Sequence, residues 1–357
     1  MGIIAAAKGE HPLFDPAACL NRKQNKFTCT ACTEICPEKV FSLNAKETLK
    51  WDKCIDCGLC LTACPSRCFT PSGALQHELL ADVQIDEPVI YGCEQDEELL
   101  ERKLPCLASV PWELAAALAL YTDVVFLARN CAQCPHAERR EMLAENLQQL
   151  REFLGEERFT ERVHVVTEGE WKPKKPKAEK LISRREVFSG WKRSALKSAY
   201  RVAASRLPVP DETEKDGMQY RRMLSRAVRK EREREKQEGQ TASRYTVELP
   251  KITAECYGCS ICERICPQKA VSVTPEENGT RTICIAPWKC TACGLCTKVC
   301  PYGGADGTGK FPVPYLEELP LAKVASTSCE RCGIAVKPGT EPQLCPACAA
   351  KAKKKLR

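Results

Sequence analysis

The chain has 357 residues, 26 of them cysteine, and a formal net charge of +7. So many cysteines in a long chain, with no layout typical of a secretory signal between Met1 and Pro12, exclude a small secreted disulfide scaffold. No apolar stretch approaches the roughly eighteen residues that a membrane span needs. We therefore expect a cytoplasmic protein of two or three domains, kept reduced in an anaerobic setting.

Closely spaced cysteines form two runs in residues 16–70. The second run has the spacing C-x2-C-x2-C-x3-C and is followed by Pro65: Cys54, Cys57, Cys60 and Cys64. The first run has the same spacing and its own trailing Pro37, but Lys26 stands where its first thiol would be. Its remaining members are Cys29, Cys32 and Cys36. Zinc usually takes two separated pairs of ligands, so this spacing favours iron-sulfur clusters.

The paired runs resemble those of bacterial 2[4Fe-4S] ferredoxins, in which each run gives three thiolates to one cubane and its fourth to the other. The resemblance implies a βαβ-βαβ fold and one complete ligand set: Cys54, Cys57, Cys60 and Cys36. The second set, Cys29, Cys32 and Cys64, is one ligand short. Three answers stay open: Cys19 loops back as the fourth ligand, Cys68 does so, or the site holds a [3Fe-4S] cluster. We favour Cys19, because the segment between it and Cys29 is long enough to return.

Strand and helix patterns alternate in residues 86–168. Apolar strands are predicted at 88–92, 123–128 and 162–166, with helices over 111–121 and from Pro135 onward. The second helix carries one apolar face: Leu143, Leu147, Leu150 and Leu154. The alternation predicts a small parallel α/β domain, whose loops at one sheet edge would bring four thiols together. These are Cys93, Cys106, Cys131 and Cys134.

This middle region is similar to the iron-sulfur delta subunit of methyl-viologen-reducing hydrogenases, which implies a [2Fe-2S] cluster on the four thiols. Two other interpretations remain. Cys131 and Cys134 could form a redox-active dithiol, with a thiolate pKa lowered by a helix start. The four thiols could also bind zinc or stay free in the core.

Residues 171–250 form a basic connector, in which lysine and arginine outnumber aspartate and glutamate two to one. A helix is predicted from Phe188 to Val202, with one apolar and one basic face. Such a helix can pack across the modules, lie on a membrane surface or dock on an acidic partner. The run from Arg229 to Glu238 alternates in charge and predicts a solvated helix. Nucleic-acid binding is disfavoured, since no aromatic residues are interleaved with the charge.

Residues 251–305 repeat the ferredoxin-type motif in full. The two runs are followed by Pro267 and Pro301: Cys256, Cys259, Cys262 and Cys266, then Cys290, Cys293, Cys296 and Cys300. By the same resemblance one cubane takes Cys256, Cys259, Cys262 and Cys300. The other takes Cys290, Cys293, Cys296 and Cys266. Four [4Fe-4S] clusters are thus expected in the chain, while Cys68 and Cys284 are expected to be packing residues.

Residues 325–352 contain two C-x2-C pairs: Cys329 and Cys332, then Cys345 and Cys348. Paired knuckles of this kind predict a structural zinc ribbon with no open coordination position. A rubredoxin-like single iron would use similar ligands and would transfer electrons instead.

The expected fold class is α+β: two dicluster modules flanking a small parallel α/β domain and a basic helical connector, with a zinc ribbon at the end. No catalytic constellation is apparent, and the four histidines are scattered: His11, His77, His136 and His164. We therefore expect an electron-transfer subunit of polyferredoxin type, serving a larger oxidoreductase on a partner chain. The alternatives are a thiol redox enzyme or sensor using Cys131 and Cys134, and a binding or assembly factor.

Overall fold

The computed structural model combines short helices with five small β-sheets in the part of the chain that it describes. The described residues are 11–23, 28–42, 49–80, 83, 87–96, 103–172, 216–237, 245–312, 318–339 and 341–355. The helix predicted from Phe188 to Val202 lies outside them. Among the described helices, none is both long and apolar enough to span a membrane.

The first module is closed by pairing of its two ends. Strand β1 (Leu13–Phe14) runs antiparallel to β2 (Phe69–Thr70). Between them the described residues form the short α-helices α1 (Leu20–Lys23), α2 (Ala31–Ile35) and α3 (Leu59–Ala63). Because β1 supplies the partner of β2, the module begins before residue 16, where the sequence pattern placed its start.

A four-stranded parallel sheet forms the middle region, in the order β4-β3-β5-β6. Its strands are β3 (Val89–Cys93), β4 (Lys103–Leu104), β5 (Val124–Leu127) and β6 (Val163–Val166). The helices around it are α4 (Gly73–Leu80), α5 (Trp112–Ala119), α6 (Ala137–Leu154) and α7 (Glu156–Arg162). The predicted strands and helices are thus present, because parallel strands need helical crossovers between them.

The apolar faces of the middle helices are buried as their patterns predict. On α6, Leu143, Leu150 and Leu154 are buried, and Leu147 is half-buried against the same core. Helix α5 is buried on nearly all sides, and its one charged side chain, Glu113, is buried with it. A buried carboxylate needs a charged or hydrogen-bonding partner.

The second module consists of two sheets joined by the cysteine loops. Strands β7 (Thr246–Ile252) and β10 (Ala305–Pro312) pair antiparallel. A second sheet follows the order β11-β9-β8. It comprises the hairpin β8 (Val271–Pro275) and β9 (Thr280–Ile285) with β11 (Leu319–Ala325). Two short helices lie within the cysteine runs: α9 (Ile261–Ile265) and α10 (Leu295–Lys298). The module therefore extends beyond 251–305 at both ends.

Helix α8 (Gln219–Gln237) packs into the core, so the solvated helix predicted from Arg229 is wrong. Tyr220, Met223, Leu224, Ala227 and Val228 are buried, and one turn further along so are Glu231, Arg232 and Glu235. The burial is tolerated because these charges have partners. Glu231 pairs with Arg158 and accepts a hydrogen bond of 2.6 Å from the hydroxyl of Tyr245.

One continuous hydrophobic core joins both ferredoxin modules, the middle sheet and α8. The tail has a small core of its own, built around Val336. Its elements are β12 (Thr327–Ser328), β13 (Ala335–Val336) and α11 (Pro346–Lys355). An ion pair of 2.6 Å between Lys337 and Glu255 connects the tail to the second module.

Candidate iron-sulfur and metal sites

Every ferredoxin-type run ends in a turn of the same shape. The third residue after the last cysteine has a positive φ in all four runs: Lys39 (50°), Arg67 (53°), Lys269 (50°) and Gly303 (67°). The turn directs the next backbone N–H back at the cysteine. The N–H of Val40 donates to Cys36 Sγ at 3.4 Å, and that of Ala270 donates to Cys266 Sγ at 3.3 Å. Such donors stabilise a sulfur that carries negative charge.

The second module has two groups of thiols that face inward. Burial raises the pKa of Cys256, and the nearby thiols of Cys259 and Cys300 raise it further. Burial likewise raises the pKa of Cys290 to about 11, with Cys266 and Cys293 adding to the effect. The sets proposed from the motif, site A (Cys256, Cys259, Cys262, Cys300) and site B (Cys266, Cys290, Cys293, Cys296), therefore contain thiols that are close in space.

Gly304 permits a close approach in site A. A Cβ atom at this position would lie 2.7 Å from the Cα of Cys256 and 3.0 Å from its Cβ. These distances are far below van der Waals contact, so any larger residue would push the two loops of the site apart.

The first module holds two further groups of thiols. Burial raises the pKa of Cys54, and the thiol of Cys36 adds to it. Burial also raises the pKa of Cys60, which has Cys57, Cys54 and Cys36 among its neighbours. These four residues are the complete set proposed from the motif, here called site D. Site C is the incomplete set together with Cys19: Cys19, Cys29, Cys32 and Cys64.

Site C lies at a cavity lined by five thiols: Cys19, Cys29, Cys32, Cys64 and Cys68. Asn21 fixes the segment that carries Cys19. Its side-chain amide donates to the carbonyl of Cys29 at 2.8 Å and accepts from the N–H of Cys29 at 2.6 Å. The sequence pattern did not identify Asn21, although its position between Cys19 and the first run was a signal. This pair of hydrogen bonds favours Cys19 as the residue that loops back to supply the fourth ligand of site C.

The loop of the missing cysteine also differs in its backbone. In the complete run of the first module, Asp56 and Gly58 on either side of Cys57 have φ values of 51° and 73°. Thr30, which matches Gly58, has a φ of −108°. The left-handed bends that would aim a first thiol at the site are therefore replaced along with the thiol itself.

Cys68 lies beside site C rather than apart from it. Its Sγ is 3.3 Å from the Sγ of Cys64, and its backbone N–H donates to the same sulfur at 3.3 Å. The hydrogen bond from Cys68 lowers the pKa of Cys64 to about 6, despite burial of that thiol.

The middle thiols converge at the carboxyl ends of β3, β4 and β5, as the parallel sheet requires. This group is site E: Cys93, Cys106, Cys131 and Cys134. Cys131 begins a short 3-10 helix (Cys131–Gln133) and does not lie at the start of α6. Burial raises its pKa to about 11, and Cys93, Cys106 and Cys134 add to the effect. The predicted lowering of a thiolate pKa is therefore wrong for Cys131.

The tail thiols are spaced differently from all the others. The Sγ atoms of Cys329, Cys332, Cys345 and Cys348 all lie within 4.8 Å of one another. Four sulfurs bound to one tetrahedral ion at about 2.3 Å are about 3.8 Å apart. A hydrogen bond of 3.2 Å from the N–H of Cys345 lowers the pKa of Cys329 to about 6. This tail site therefore suits a single ion.

No other group of three or more metal-binding side chains within the described residues is drawn together so closely. A cubane is wider than an ion, so its ligands stand further apart. All-thiol sets, buried surroundings, N–H donors to sulfur and this wider spacing fit iron-sulfur clusters at sites A to D.

The remaining candidates form no site in the described residues. His11 stacks on Trp51 with ring centroids 4.3 Å apart. His164 packs against Trp171, and His136 lies near Glu138 at the start of α6. Cys284 lies on β9 outside the cysteine groups.

Comparison with family models finds two matches within the chain. Residues 255–304 match a 4Fe-4S dicluster domain, and residues 48–70 match a 4Fe-4S binding domain. The second match contains the complete run of the first module and leaves out the run that lacks a cysteine. No curated protein matches the chain.

The cysteine groups and these two domains define a ferredoxin-like protein with more than one iron-sulfur cluster. Its cofactors include [4Fe-4S] clusters, and its role is iron-sulfur electron transfer.

Proposed function

We propose that this chain is an electron-relay subunit with five iron-sulfur sites in the order A, B, C, D and E. Sites A to D would each hold a [4Fe-4S] cluster, with Cys19 as the fourth ligand of site C, and site E would hold a [2Fe-2S] cluster. Such clusters, when bound, accept and release single electrons. The observation that carries the proposal is that neighbouring sites interact along this whole series, electrostatically within each module and through hydrogen bonds where the modules and the middle domain meet.

Sites A and B are neighbours within the second module. The pKa of Cys296 in site B is raised to about 12, chiefly by burial, and the thiol of Cys262 in site A contributes to this rise. Sites C and D are neighbours in the same way, because Cys32 of site C adds to the raised pKa of Cys60 in site D.

The two modules meet between sites B and C. The side-chain amide of Gln268 donates to the carbonyl of Ser66 at 2.6 Å. Each residue is the second after the last cysteine of its run, Cys266 in site B and Cys64 in site C. The charge of Lys298, two residues after Cys296, also acts on Cys29 of site C. This junction is polar, and it joins the turns that follow a ligand cysteine of each module.

The first module meets the middle domain between sites D and E. The hydroxyl of Thr62 on α3 donates to the carbonyl of Ala108 at 3.0 Å, two residues after Cys106 of site E. The positive charge of Arg139 on α6 acts on both Cys57 of site D and Cys106. Arg139 thus lies between the two sites, where a cation favours the more negative reduced state of each.

Iron content and electron transfer test the proposal together. Anaerobically reconstituted full-length protein should contain about 18 iron atoms per chain, from four cubanes and one [2Fe-2S] cluster. It should accept electrons from reduced viologen and should turn over no small substrate alone. Colourless protein with neither iron nor acid-labile sulfide would overturn the proposal.

A Cys93→Ser variant separates a cluster at site E from a dithiol. A four-thiolate cluster should be lost or altered, whereas a dithiol of Cys131 and Cys134 would be unaffected. The mutual proximity of all four thiols, which act on one another electrostatically, favours the cluster.

We further propose that a partner oxidoreductase on another chain carries the substrate chemistry, in the cytoplasm of an anaerobic cell. Capture of the loaded chain from an anaerobic lysate should recover such an enzyme. If cluster-free protein no longer captures that enzyme, the result favours an electron relay over an assembly factor. The tail site is proposed to hold structural zinc.

A further inference from the structure

One buried thiol of site C is not used by its proposed ligand set. Cys68 is only 4% exposed. Its Sγ lies 3.3 Å from Cys64 Sγ and also hydrogen bonds to the thiol of Cys19. It therefore touches two of the four residues that would hold the cluster, which a residue that only packs in the core would not need to do.

The position of Cys68 is occupied by other residues in the equivalent turns. It is the fourth residue after the last cysteine of its run, where the other runs have Val40, Ala270 and Gly304. These residues fit the same turn with the same left-handed bend. The fold does not need a thiol here, and the thiol occurs beside the one site whose motif lacks a cysteine.

The geometry makes Cys68 a donor to the ligands rather than a ligand. Two sulfurs in contact at 3.3 Å cannot point to separate corners of a cubane, which stand apart by the width of the cluster. Cys64 also accepts the N–H of Cys68 and lies 3.6 Å from the hydroxyl of Ser66. A thiolate bound to iron has no proton, so the shared proton must belong to Cys68.

We propose that Cys68 is a thiol hydrogen-bond donor to Cys64, with Cys19 as its alternative acceptor, and that this bond raises the reduction potential of the cluster at site C. The inference rests on the proposed function, since it requires a cluster there. A donor to ligand sulfur favours the reduced state, because reduction adds negative charge to the cluster and its thiolates.

Cys68→Ala and Cys68→Ser variants of the full-length loaded protein test the role, with EPR-monitored redox titration as the measurement. Alanine already stands at this position in the second module, as Ala270, so the turn should survive. We expect Cys68→Ala to lower the midpoint potential of site C, identified as the signal lost in a Cys32→Ser variant. Cys68→Ser should restore much of the shift, and the signals of sites A, B and D should not move. Cys284→Ala, which removes a thiol outside the sites, should change nothing.

Two outcomes would overturn the proposal while leaving the relay intact. The first is an unchanged potential of site C in Cys68→Ala with full iron content. The second is a [3Fe-4S] signal in Cys68→Ala that is absent from Cys19→Ala, which would make Cys68 the ligand. A third result is that no cluster forms at site C, which the iron content of the unmodified protein would reveal. That result would overturn both this inference and the proposed site C.

Discussion

A buried ion network joins three parts of the fold, and its centre is Glu113 on α5. One oxygen of this carboxylate lies 2.7 Å from Nη2 of Arg67 in the first module. The same oxygen lies 3.8 Å from Nη1 of Arg221 on α8. Arg221 in turn donates to the carbonyls of Trp288 at 3.1 Å and Pro287 at 3.3 Å in the second module. We therefore expect a Glu113→Gln substitution to weaken the association of all three parts.

The size of the effect follows from burial. Glu113 is 2% exposed, and its arginine partners are themselves largely buried. Removing one partner of a buried pair typically costs about 3–5 kcal/mol, because it leaves an uncompensated charge. Glutamine keeps the shape and an acceptor oxygen, so we expect a loss of about 3 kcal/mol in the free energy of unfolding, on the low side of that range. This corresponds to a factor of about 150 in the unfolding equilibrium.

Urea unfolding of the loaded protein under anaerobic conditions measures this loss, from far-UV circular dichroism and cluster absorbance. The matched control is Glu152→Gln, which breaks an exposed pair of 2.8 Å with Lys310 and should cost no more than about 1 kcal/mol. Equal shifts of the urea midpoint in the two variants, with unchanged m-values, would refute the reasoning.

Three other changes have expected outcomes. Gly304→Ala should disrupt site A alone, seen as loss of one cluster's iron and EPR signal, whereas Gly73→Ala, with open space around it, should keep all iron. Burial raises the pKa of Cys262 to about 12. Iron must therefore displace protons, and cluster yield at limiting iron should rise from about pH 7 to about pH 9; a flat profile would contradict this. Cys332→Ser should remove one zinc per chain without loss of iron, as measured by elemental analysis; iron in the tail would exclude zinc.

The matches to 4Fe-4S domains confirm the iron-sulfur motifs, whose determinants are local in sequence. The spacing of a cysteine run fixes which thiols a short loop can aim inward. The repeated left-handed bends at Lys39, Arg67 and Lys269 are part of the same local pattern. The buried face of α6 followed from its leucine periodicity for the same reason.

Long-range polar contacts could not be predicted in this way. Gln268 and Ser66 are far apart in the chain, and nothing in either run marks them as partners. Glu231 looked like part of a solvated charged helix, because the sequence does not reveal that Arg158 and Tyr245 meet it. Charged residues are usually exposed, and a buried charge such as that of Glu231 is stable only because partners distant in the chain pair with it.

Gly58 illustrates how one residue can meet both a local backbone requirement and a long-range packing requirement. Its φ of 73° is the left-handed bend of a complete cysteine loop, and Ser260 adopts the same bend in the second module with a φ of 61°. A serine would therefore satisfy the loop. At position 58, however, a Cβ atom would lie 2.6 Å from Leu75 Cδ2 and 3.1 Å from the Cβ of Ser109. A side chain there would displace Leu75 and crowd Ser109 of the middle domain, so the motif of site D and its junction with site E constrain the same position.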